Sequence, residues 1–524
     1  MIFAKTLTSF FEKLSTEFAF ATHNRKYFPR SVPNDSEPVV LIEFNSLCSN
    51  HIAVSYLANV LASRHNAVIK AYLPYPNNSL KSKARFLILR LFAIISFGVY
   101  CSFGVDEFIC ISLDPVQKRK SYVLFNDVYK AISCKRDIED MHVEGIWIGD
   151  LIYDTFLRRY NVPTIDITSR LFKSFLLESL QTFTFWTDYF NCHNVSAINV
   201  SHCVYNLAIP LRIALHLGID AFQATLAHIY RLSIDRPFAY SDFTDFPAIF
   251  SKLPQDVREA GLVQAKKQIN KRFSGEIGVD MEYSTKSAFG SFRHTGLLPK
   301  SPRKKILVAS HCFFDSPHSY GKNLFPDFYE WLEFLGQLSV RKNYDFFIKI
   351  HPDYLPGTKE VIDSFVDRYP NFTLLPSDAS HMQIISEGID VALTCYGTIG
   401  FEYAALGVPV VNASINNPHI AYDFNIHARD VEHYTSILDN LDDLRLEIKL
   451  ADVLEFYYMS RLHPSPNIFF EDLDETVHIL GGYMSQFTFL IYKKWLADWS
   501  ICKHRDIINI INDYISSGDF RLQT

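Results

Sequence analysis

Three histidines follow apolar runs that end abruptly, where a parallel strand would present its next side chains to a ligand. His202 follows "SAINVS", His311 follows "KILVAS" and His351 follows "DFFIKI". Lys349 precedes His351 by two residues and so shares its face of a strand. Because an imidazole and an ammonium group together suit a phosphate or a carboxylate, we expect at least one histidine to contact an anionic ligand. The alternative for each is a histidine that only orders a loop.

A second stretch, "TCYGTIGFEY" at residues 394–403, has the form of a strand end, a turn and a helix start. Gly397 and Gly400 would let the chain turn tightly and leave the first helical N–H groups open to an anion, with Thr398 adding a hydroxyl. Tyr396 is assigned to the same site. Glu402 would accept hydrogen bonds from ribose hydroxyls, so we expect Glu402→Ala to lose turnover but not folding. The alternative is a Thr-capped helix with an acidic first turn.

Candidate catalytic carboxylates lie in the first half of the chain. Asp150 follows the apolar run "GIWIG" and would act as a general base or a nucleophile, or else cap a helix. Asp154 lies one helical turn later, and the two arginines of "FLRRY" would partner it in a structural role. His202, Glu144 and Glu43 are reserve candidates for the catalytic group.

Alternating strand and helix patterns must position these residues. The pattern predicts an α/β protein with two tandem Rossmann-like, doubly wound domains that face a cleft. The expected divisions are an amphipathic lead-in helix at 1–37, a first Rossmann-like domain at 38–235, a connector at 236–302, a second Rossmann-like domain at 303–471, and a helical tail at 472–524 that crosses back to the first domain.

Composition excludes several function classes. The 524 residues are 48% hydrophobic and 21% charged with a net charge of −6, which is typical of a globular protein and gives no basic surface for nucleic acid. Nine cysteines without a CxxC pair indicate reduced thiols in a cytoplasmic protein. We expect no metal, because no DxD pattern occurs at the strand ends. The first twenty residues predict an amphipathic helix and not a signal peptide.

One apolar segment, residues 81–104, needs a separate interpretation. Arg90 lies inside it and Gly104 ends it, which disfavours a membrane span. We interpret it as a buried helix. The alternative is peripheral contact of residues 86–104 with the inner membrane, with the basic residues before them near lipid headgroups.

The motifs "KIHPD" and "YGTIGFEYAALGVPVV", together with "IGDLIYDTFLRRY" and "VSHCVYN", resemble GT-B glycosyltransferases of bacterial surface and capsular polysaccharide synthesis. The resemblance is to HP-motif enzymes such as Kdo transferases and some sialyltransferases, and covers residues 146–414. It implies sugar transfer from a nucleotide-sugar donor, bound by the domain at 303–471, to a saccharide or lipid-linked acceptor on the side of the domain at 38–235, with no further cofactor. His351 and Thr398 would hold phosphate and Glu402 the ribose. The nucleotide in those enzymes is often CMP, but Tyr396 and Gly397 replace the usual Ser before Thr398, so the nucleotide stays open.

Other functions remain open from the sequence. A UDP-sugar 2-epimerase has two such domains and a similar Gly–Glu turn, and a CDP-alditol polyol-phosphate transferase has a close motif. The non-enzymatic alternative is an adaptor protein that has kept this fold but has no enzymatic activity. We expect a cytoplasmic enzyme, with membrane association on the cytoplasmic face left open.

Overall fold

The computed structural model describes residues 2–28, 37–74, 96–279, 286–291, 294–350, 354–463 and 466–523. His351 therefore lies outside the described residues, as does most of the apolar segment at 81–104. No helix in the described ranges is long and apolar enough to cross a membrane.

The N-terminal sheet has six strands in the order β3-β2-β1-β6-β7-β8, all parallel except β8. All five residues of β1 are buried, because helices cover both faces of the sheet. A separate antiparallel hairpin, β4 with β5, lies outside this sheet. The strands are β1 (Val39–Glu43), β2 (Val68–Tyr72), β3 (Val105–Ile109), β4 (His142–Val143), β5 (Ile146–Trp147), β6 (Val195–Val200), β7 (Asp220–Ala224) and β8 (Ile229–Leu232).

Helices alternate with these strands. They are α1 (Ile2–Tyr27), α2 (Cys48–His65), α3 (Ser96–Ser102), α4 (Pro115–Ala131), α5 (Lys135–Glu139), α6 (Gly149–Tyr160), α7 (Arg170–Cys192) and α8 (Ile209–His216). Two further helices, α9 (Phe246–Lys252) and α10 (Gln255–Phe273), follow the first sheet. The apolar sides of α9 and α10 pack against helices of the second half of the chain, in a cluster that includes Phe246, Ile269, Phe401 and Tyr457.

The C-terminal sheet repeats the architecture. Its six parallel strands have the order β11-β10-β9-β12-β13-β14. Its strands are β9 (Lys305–Ala309), β10 (Asp345–Lys349), β11 (Phe372–Leu374), β12 (Val391–Thr394), β13 (Val410–Asn412) and β14 (Ile426–His427). Its helices are α11 (Phe328–Arg341), α12 (Thr358–Arg368), α13 (His381–Ser386), α14 (Ile399–Ala405), α15 (Val431–Asp439) and α16 (Leu450–Tyr457).

The last helices return to the first domain. They are α17 (Leu473–Ile479), α18 (Leu490–Asp498) and α19 (Ile501–Ser517). Trp495 and Ile507 are buried in the same core as α2, and the Leu522 amide donates to the Ile229 carbonyl at 2.9 Å. The predicted fold class, two doubly wound α/β domains with a helical tail, is confirmed.

Candidate active site

Both sheets have a switch point, where the strand order reverses, and ligands of open α/β sheets bind at the carboxyl ends of the strands there. The switch points lie between β1 and β6 and between β9 and β12. Tyr205, in the loop after β6, donates a hydrogen bond to Asp315 Oδ1, in the loop after β9, at 2.5 Å. The carboxyl edges of the two sheets therefore meet across the boundary between the domains.

The first switch point is bridged by Glu43 and Ser201. Glu43 ends β1 and is 3% exposed. Its Oε2 accepts from the Ser201 amide at 2.9 Å, and its Oε1 accepts from the Ser201 hydroxyl. Burial raises the pKa of Glu43 to about 7, although the Ser201 hydrogen bonds lower it in part. A carboxylate that is partly ionised near neutral pH suits a general base.

His202 follows Ser201 at the same edge, and its side chain is exposed. Desolvation by the surrounding chain lowers the pKa of His202, while the Asp315 carboxylate across the domain boundary raises it. The structure thus brings His202 and Glu43 to one sheet edge. Their catalytic role stays a prediction.

Asp150 does not follow a strand of the main sheet, as the sequence interpretation assumed, because β5 belongs to the separate hairpin. It lies in the first turn of α6, 1% exposed, with Oδ2 at 2.5 Å from Arg212 Nη2. The Arg212 guanidinium in turn lies over the rings of Trp147 and Phe238, at 4.8 and 5.0 Å. A buried, ion-paired carboxylate of this kind favours a structural role.

Asp154 has partners other than the arginines expected from the sequence. Arg158 lies 3.9 Å from Asp315 and Arg159 lies 2.6 Å from Glu178. Both arginines therefore lie beside other carboxylates, and neither forms an ion pair with Asp154 among the described residues.

The partner of Asp154 is His318, which comes from the loop after β9. His318 Nδ1 lies 2.5 Å from Asp154 Oδ1, and Nε2 lies 3.3 Å from Glu139 Oε1. All three side chains are buried. Burial alone would lower the pKa of His318, but the two carboxylates outweigh it and raise the pKa to about 10. We call these three residues the His318 clamp, since it joins α5 and α6 of the first domain to the second domain.

Glu144, a reserve candidate, lies in the turn between β4 and β5 with φ of 52°. Its exposed carboxylate is 3.9 Å from Lys120 Nζ. Neither switch point includes it, so the structure argues against a catalytic role.

The second switch point is bridged by His311 and Thr394. His311 Nε2 accepts from the Cys395 amide at 3.1 Å and lies 3.0 Å from Thr394 Oγ1. Because this nitrogen is an acceptor, the Thr394 hydroxyl must donate to it. Thr394 Oγ1 also accepts from the Gly397 amide at 3.1 Å. The His311 ring stacks on Phe328 with centroids 4.5 Å apart, so the histidine fixes the turn that follows β12.

The turn itself leaves polar groups without a partner. Tyr396 donates to the Ser316 carbonyl at 2.9 Å, which ties the turn to the loop after β9. The Thr398 side chain does not cap α14. The Thr398 and Ile399 amides and the Thr398 hydroxyl make no hydrogen bond to any residue in the described ranges. These groups can donate to an anion.

The two glycines of the turn allow two different close approaches, and neither has positive φ. A Cβ on Gly397 would lie 2.9 Å from Thr394 Oγ1, so Gly397 lets the chain turn tightly against Thr394, as expected. A Cβ on Gly400 would lie 2.4 Å from His419 Cε1, so Gly400 makes room for the buried His419 ring. That the glycines give a ligand access to the turn stays a prediction.

Glu402, in α14, and Lys349, at the end of β10, are each 3% exposed. Glu402 Oε1 accepts from Arg272 Nε at 2.7 Å and lies 2.5 Å from Arg272 Nη2. Lys349 Nζ donates to the Ser377 carbonyl at 3.3 Å. Desolvation lowers the pKa of Lys349 to about 8, although the Asp378 and Glu402 carboxylates raise it. Because the carboxylate is half of a buried ion pair, Glu402→Ala should also lower stability, and the expectation that the variant still folds stays a prediction.

Sequence reasoning missed or undervalued three contacts. Glu43 ends an otherwise apolar strand, which is the same signal that selected His202 as a candidate. The sequence therefore supported Glu43 as strongly as His202. The pairing of Arg272 with Glu402 and the His318 clamp join residues more than a hundred positions apart and leave no local signal. Among the described residues, no group of three His, Cys, Asp or Glu side chains could hold a metal ion.

Comparisons with known proteins give similarity only at low levels. No family model matches the chain, and no curated protein matches it.

Similar solved structures include Thermosulfurimonas dismutans KpsC, a beta Kdo 2,4 transferase, at 12% identity and TM-score 0.31, covering 50% of this chain and 79% of that one. The UDP-GlcNAc 2-epimerase of Neisseria meningitidis bound to UDP-GlcNAc has 10% identity, TM-score 0.21 and coverage of 81% and 96%. Acinetobacter baumannii MurG has 10% identity, TM-score 0.21 and coverage of 82% and 96%. Similarities of this size carry no argument about activity, which must rest on the geometry above.

Proposed function

We propose that this protein is a glycosyltransferase that moves a sugar from a nucleotide-activated donor to a saccharide or lipid-linked acceptor of a surface polysaccharide. The observation that carries the proposal is the meeting of two switch points with complementary chemistry. Free hydrogen-bond donors and Lys349 lie near the second switch point, and a carboxylate that titrates near neutral pH lies at the first.

The donor side fits a sugar nucleotide. The Thr398 hydroxyl and the amides of Thr398 and Ile399 would bind the phosphates, with Lys349 close by as a positive charge. The Arg272 guanidinium holds Glu402 Oε1, so Oε2 remains for a ribose hydroxyl. Hydrogen bonds fixed in this way stabilise charge on a departing phosphate without reorganisation.

The acceptor side fits deprotonation of a hydroxyl. Glu43 would take the proton of the acceptor hydroxyl as that oxygen attacks the anomeric carbon, and the nucleotide phosphate would leave with the bonding electrons. Ser201 fixes both oxygens of Glu43, which orients the carboxylate. His202 is the neighbouring group that would contact the acceptor.

Thermal unfolding of the full chain with CMP, CDP, UDP, GDP or dTDP tests the donor side. A nucleotide that binds only the folded protein, at a concentration of about a hundred times its Kd, should raise the unfolding midpoint by roughly 2–3 °C. A shift with CMP alone would favour an ulosonic-acid donor such as Kdo, and a shift with UDP or GDP a hexose donor. Absence of a shift with all five would contradict the proposal.

Two variants test whether the nucleotide binds at Thr398. Thr398→Val removes the free hydroxyl and should reduce the nucleotide shift, whereas Thr373→Val makes the same change at an exposed position of β11 and should leave it intact. Incubation with UDP-GlcNAc in the absence of an acceptor tests for epimerase activity. Inversion at C2 of the sugar under these conditions would identify an epimerase instead of a transferase.

A further inference from the structure

A cavity of about 660 Å³ lies between the first turn of α2, the turn between β7 and β8, helix α10, residues 461–462 and residues 473–487. Helix α2 and the β7–β8 turn both start at the carboxyl edge of the first sheet, the edge where Glu43 ends β1. The volume is within the range of cavities that bind small organic ligands. We call it the α2 cavity.

Polar side chains without partners line the α2 cavity. Asn50 and Ser49 are 7% and 2% exposed, and neither side chain makes a hydrogen bond to a described residue. Gln264, Gln268 and Gln486 also line the cavity, at exposed or partly exposed positions. Buried polar groups in folded proteins are nearly always paired, so the unpaired side chains of Ser49 and Asn50 indicate a ligand that supplies their partners. Sugar hydroxyls, which donate and accept, match amide side chains well.

The charges around the cavity select for an anionic group. Helix α2 begins after Leu47 with no side-chain cap and no acidic residue in its first turn, so its positive end is not neutralised. Arg461 lines the same cavity and makes no ion pair with any residue in the described ranges. Asp474 is the acidic side chain of the lining, and it can accept a hydrogen bond from a sugar hydroxyl.

We propose that the α2 cavity binds a saccharide that carries a carboxylate or a phosphate, with this anionic group held between the start of α2 and Arg461. The assignment of this saccharide as the acceptor rests on the proposed glycosyltransferase function. Asn50 and the three glutamines would bind the hydroxyls of the sugar rings. The enzyme would then extend an acidic glycan and not a neutral one.

Calorimetric titration of the full chain with a hyaluronan tetrasaccharide and with neutral chitotetraose tests the proposal, and glucose 6-phosphate against glucose tests the phosphate form. We expect an acidic probe to bind at least about ten-fold more tightly than its neutral counterpart, as one charged contact allows. Equal binding of acidic and neutral probes, or no binding of either acidic probe, would overturn it.

Three variants separate a binding role from a structural one. Arg461→Gln should weaken the acidic probe about ten-fold, whereas Lys266→Gln removes a charge from an exposed position of α10 outside the cavity and should have no effect. Asn50→Leu removes an unpaired buried amide, so its unfolding midpoint should equal or exceed that of the wild type while probe binding falls. Wild-type affinity in Arg461→Gln and Asn50→Leu would overturn the site.

Nucleotide shifts, measured on the same samples, distinguish the two proposals. Arg461→Gln should keep the wild-type shift with the active nucleotide. If the protein binds the acidic saccharide but no nucleotide shifts its unfolding midpoint, the glycosyltransferase proposal is overturned and the saccharide site is supported.

Discussion

Glu43 combines full burial with a position at the sheet edge where ligands bind. A general base must be ionised to accept a proton, and a buried carboxylate in its ionised form lowers the stability of the folded state. Such a loss of stability is typical of functional groups. The Ser201 hydrogen bonds offset only part of it.

Glu43→Gln should stabilise the protein more at high pH than at low pH. The folded-state pKa of Glu43, about 7, lies above its ordinary value of 4.5, so the folded state binds the proton more tightly. The free energy of unfolding therefore falls as pH rises from 4.5 to 7, and Gln abolishes this loss. Between pH 5.5 and 8.5 the advantage of the variant should grow by roughly 2 kcal/mol in urea unfolding.

Glu360→Gln, at an exposed position of α12, controls for the lost negative charge. An advantage for Glu43→Gln that does not change with pH would contradict the shifted pKa. If Glu43 is the general base, turnover of the variant should also fall by about 10² to 10⁴.

Glu402→Ala should destabilise the protein by about 3 kcal/mol, because it removes the carboxylate from a buried ion pair with Arg272. Urea unfolding of Glu402→Ala, Arg272→Ala and the double variant measures the coupling directly. Additive effects of the two single variants would show that the pair contributes nothing, and Glu402 would then be free for the ribose alone.

At the scale of elements, the turn between β12 and α14 shows which structural features local sequence patterns can predict. Its strand, turn and helix were predictable because apolar runs and glycine punctuation are local signals. The reason for Gly400 was not, since His419 reaches it from nineteen positions further along the chain. Similarly, "GIWIG" has the composition of a sheet strand but forms half of a hairpin, because pairing depends on residues that composition does not identify.

Gly400→Ala should cost about 1–3 kcal/mol of stability, since its Cβ would lie 2.4 Å from His419 Cε1 and 2.8 Å from Asn425 Nδ2, both in buried side chains. Gly290→Ala is the matched control, because a Cβ there meets no atom within 4 Å. Thermal unfolding of both variants gives the comparison. Equal midpoints would mean that His419 moves aside at little cost.

At the scale of the whole molecule, the two domains are joined by charged and polar groups from helices of the first domain and a loop of the second. Alternation of strands and helices predicted both domains, but no pattern indicated which surfaces would meet. The His318 clamp is buried between them, and the Tyr153 hydroxyl adds a hydrogen bond to Asp327 at 2.5 Å. The orientation of the cleft therefore depends on a few polar contacts.

His318→Gln should weaken this junction more at neutral pH than at pH 10. The pKa of His318 is raised from 6.5 to about 10, so its stabilisation is complete below pH 6.5 and is lost as pH rises through 10. The variant leaves the buried Asp154 carboxylate without a cation, while Glu139 keeps its ion pair with Arg136, and it should lose about 3 kcal/mol at pH 7. The difference between wild type and variant in urea unfolding should shrink from pH 7 to pH 10.

His478→Gln, at an exposed position of α17, is the control for this substitution. Small-angle scattering at pH 7 should also show a larger radius of gyration for His318→Gln if the domains separate. A difference in unfolding free energy that is constant with pH would contradict a charged His318.

The return of α18 and α19 to the first domain has a consequence for how the protein is made. Trp495, Ile507 and Ile511 belong to the hydrophobic core that α2 also enters, and Leu522 extends β8 by a hydrogen bond. A ribosome synthesises these residues only after the second domain. The first domain can therefore complete its core only after residues 490–522 have been made, and α2 lacks these packing partners while the second domain is being synthesised.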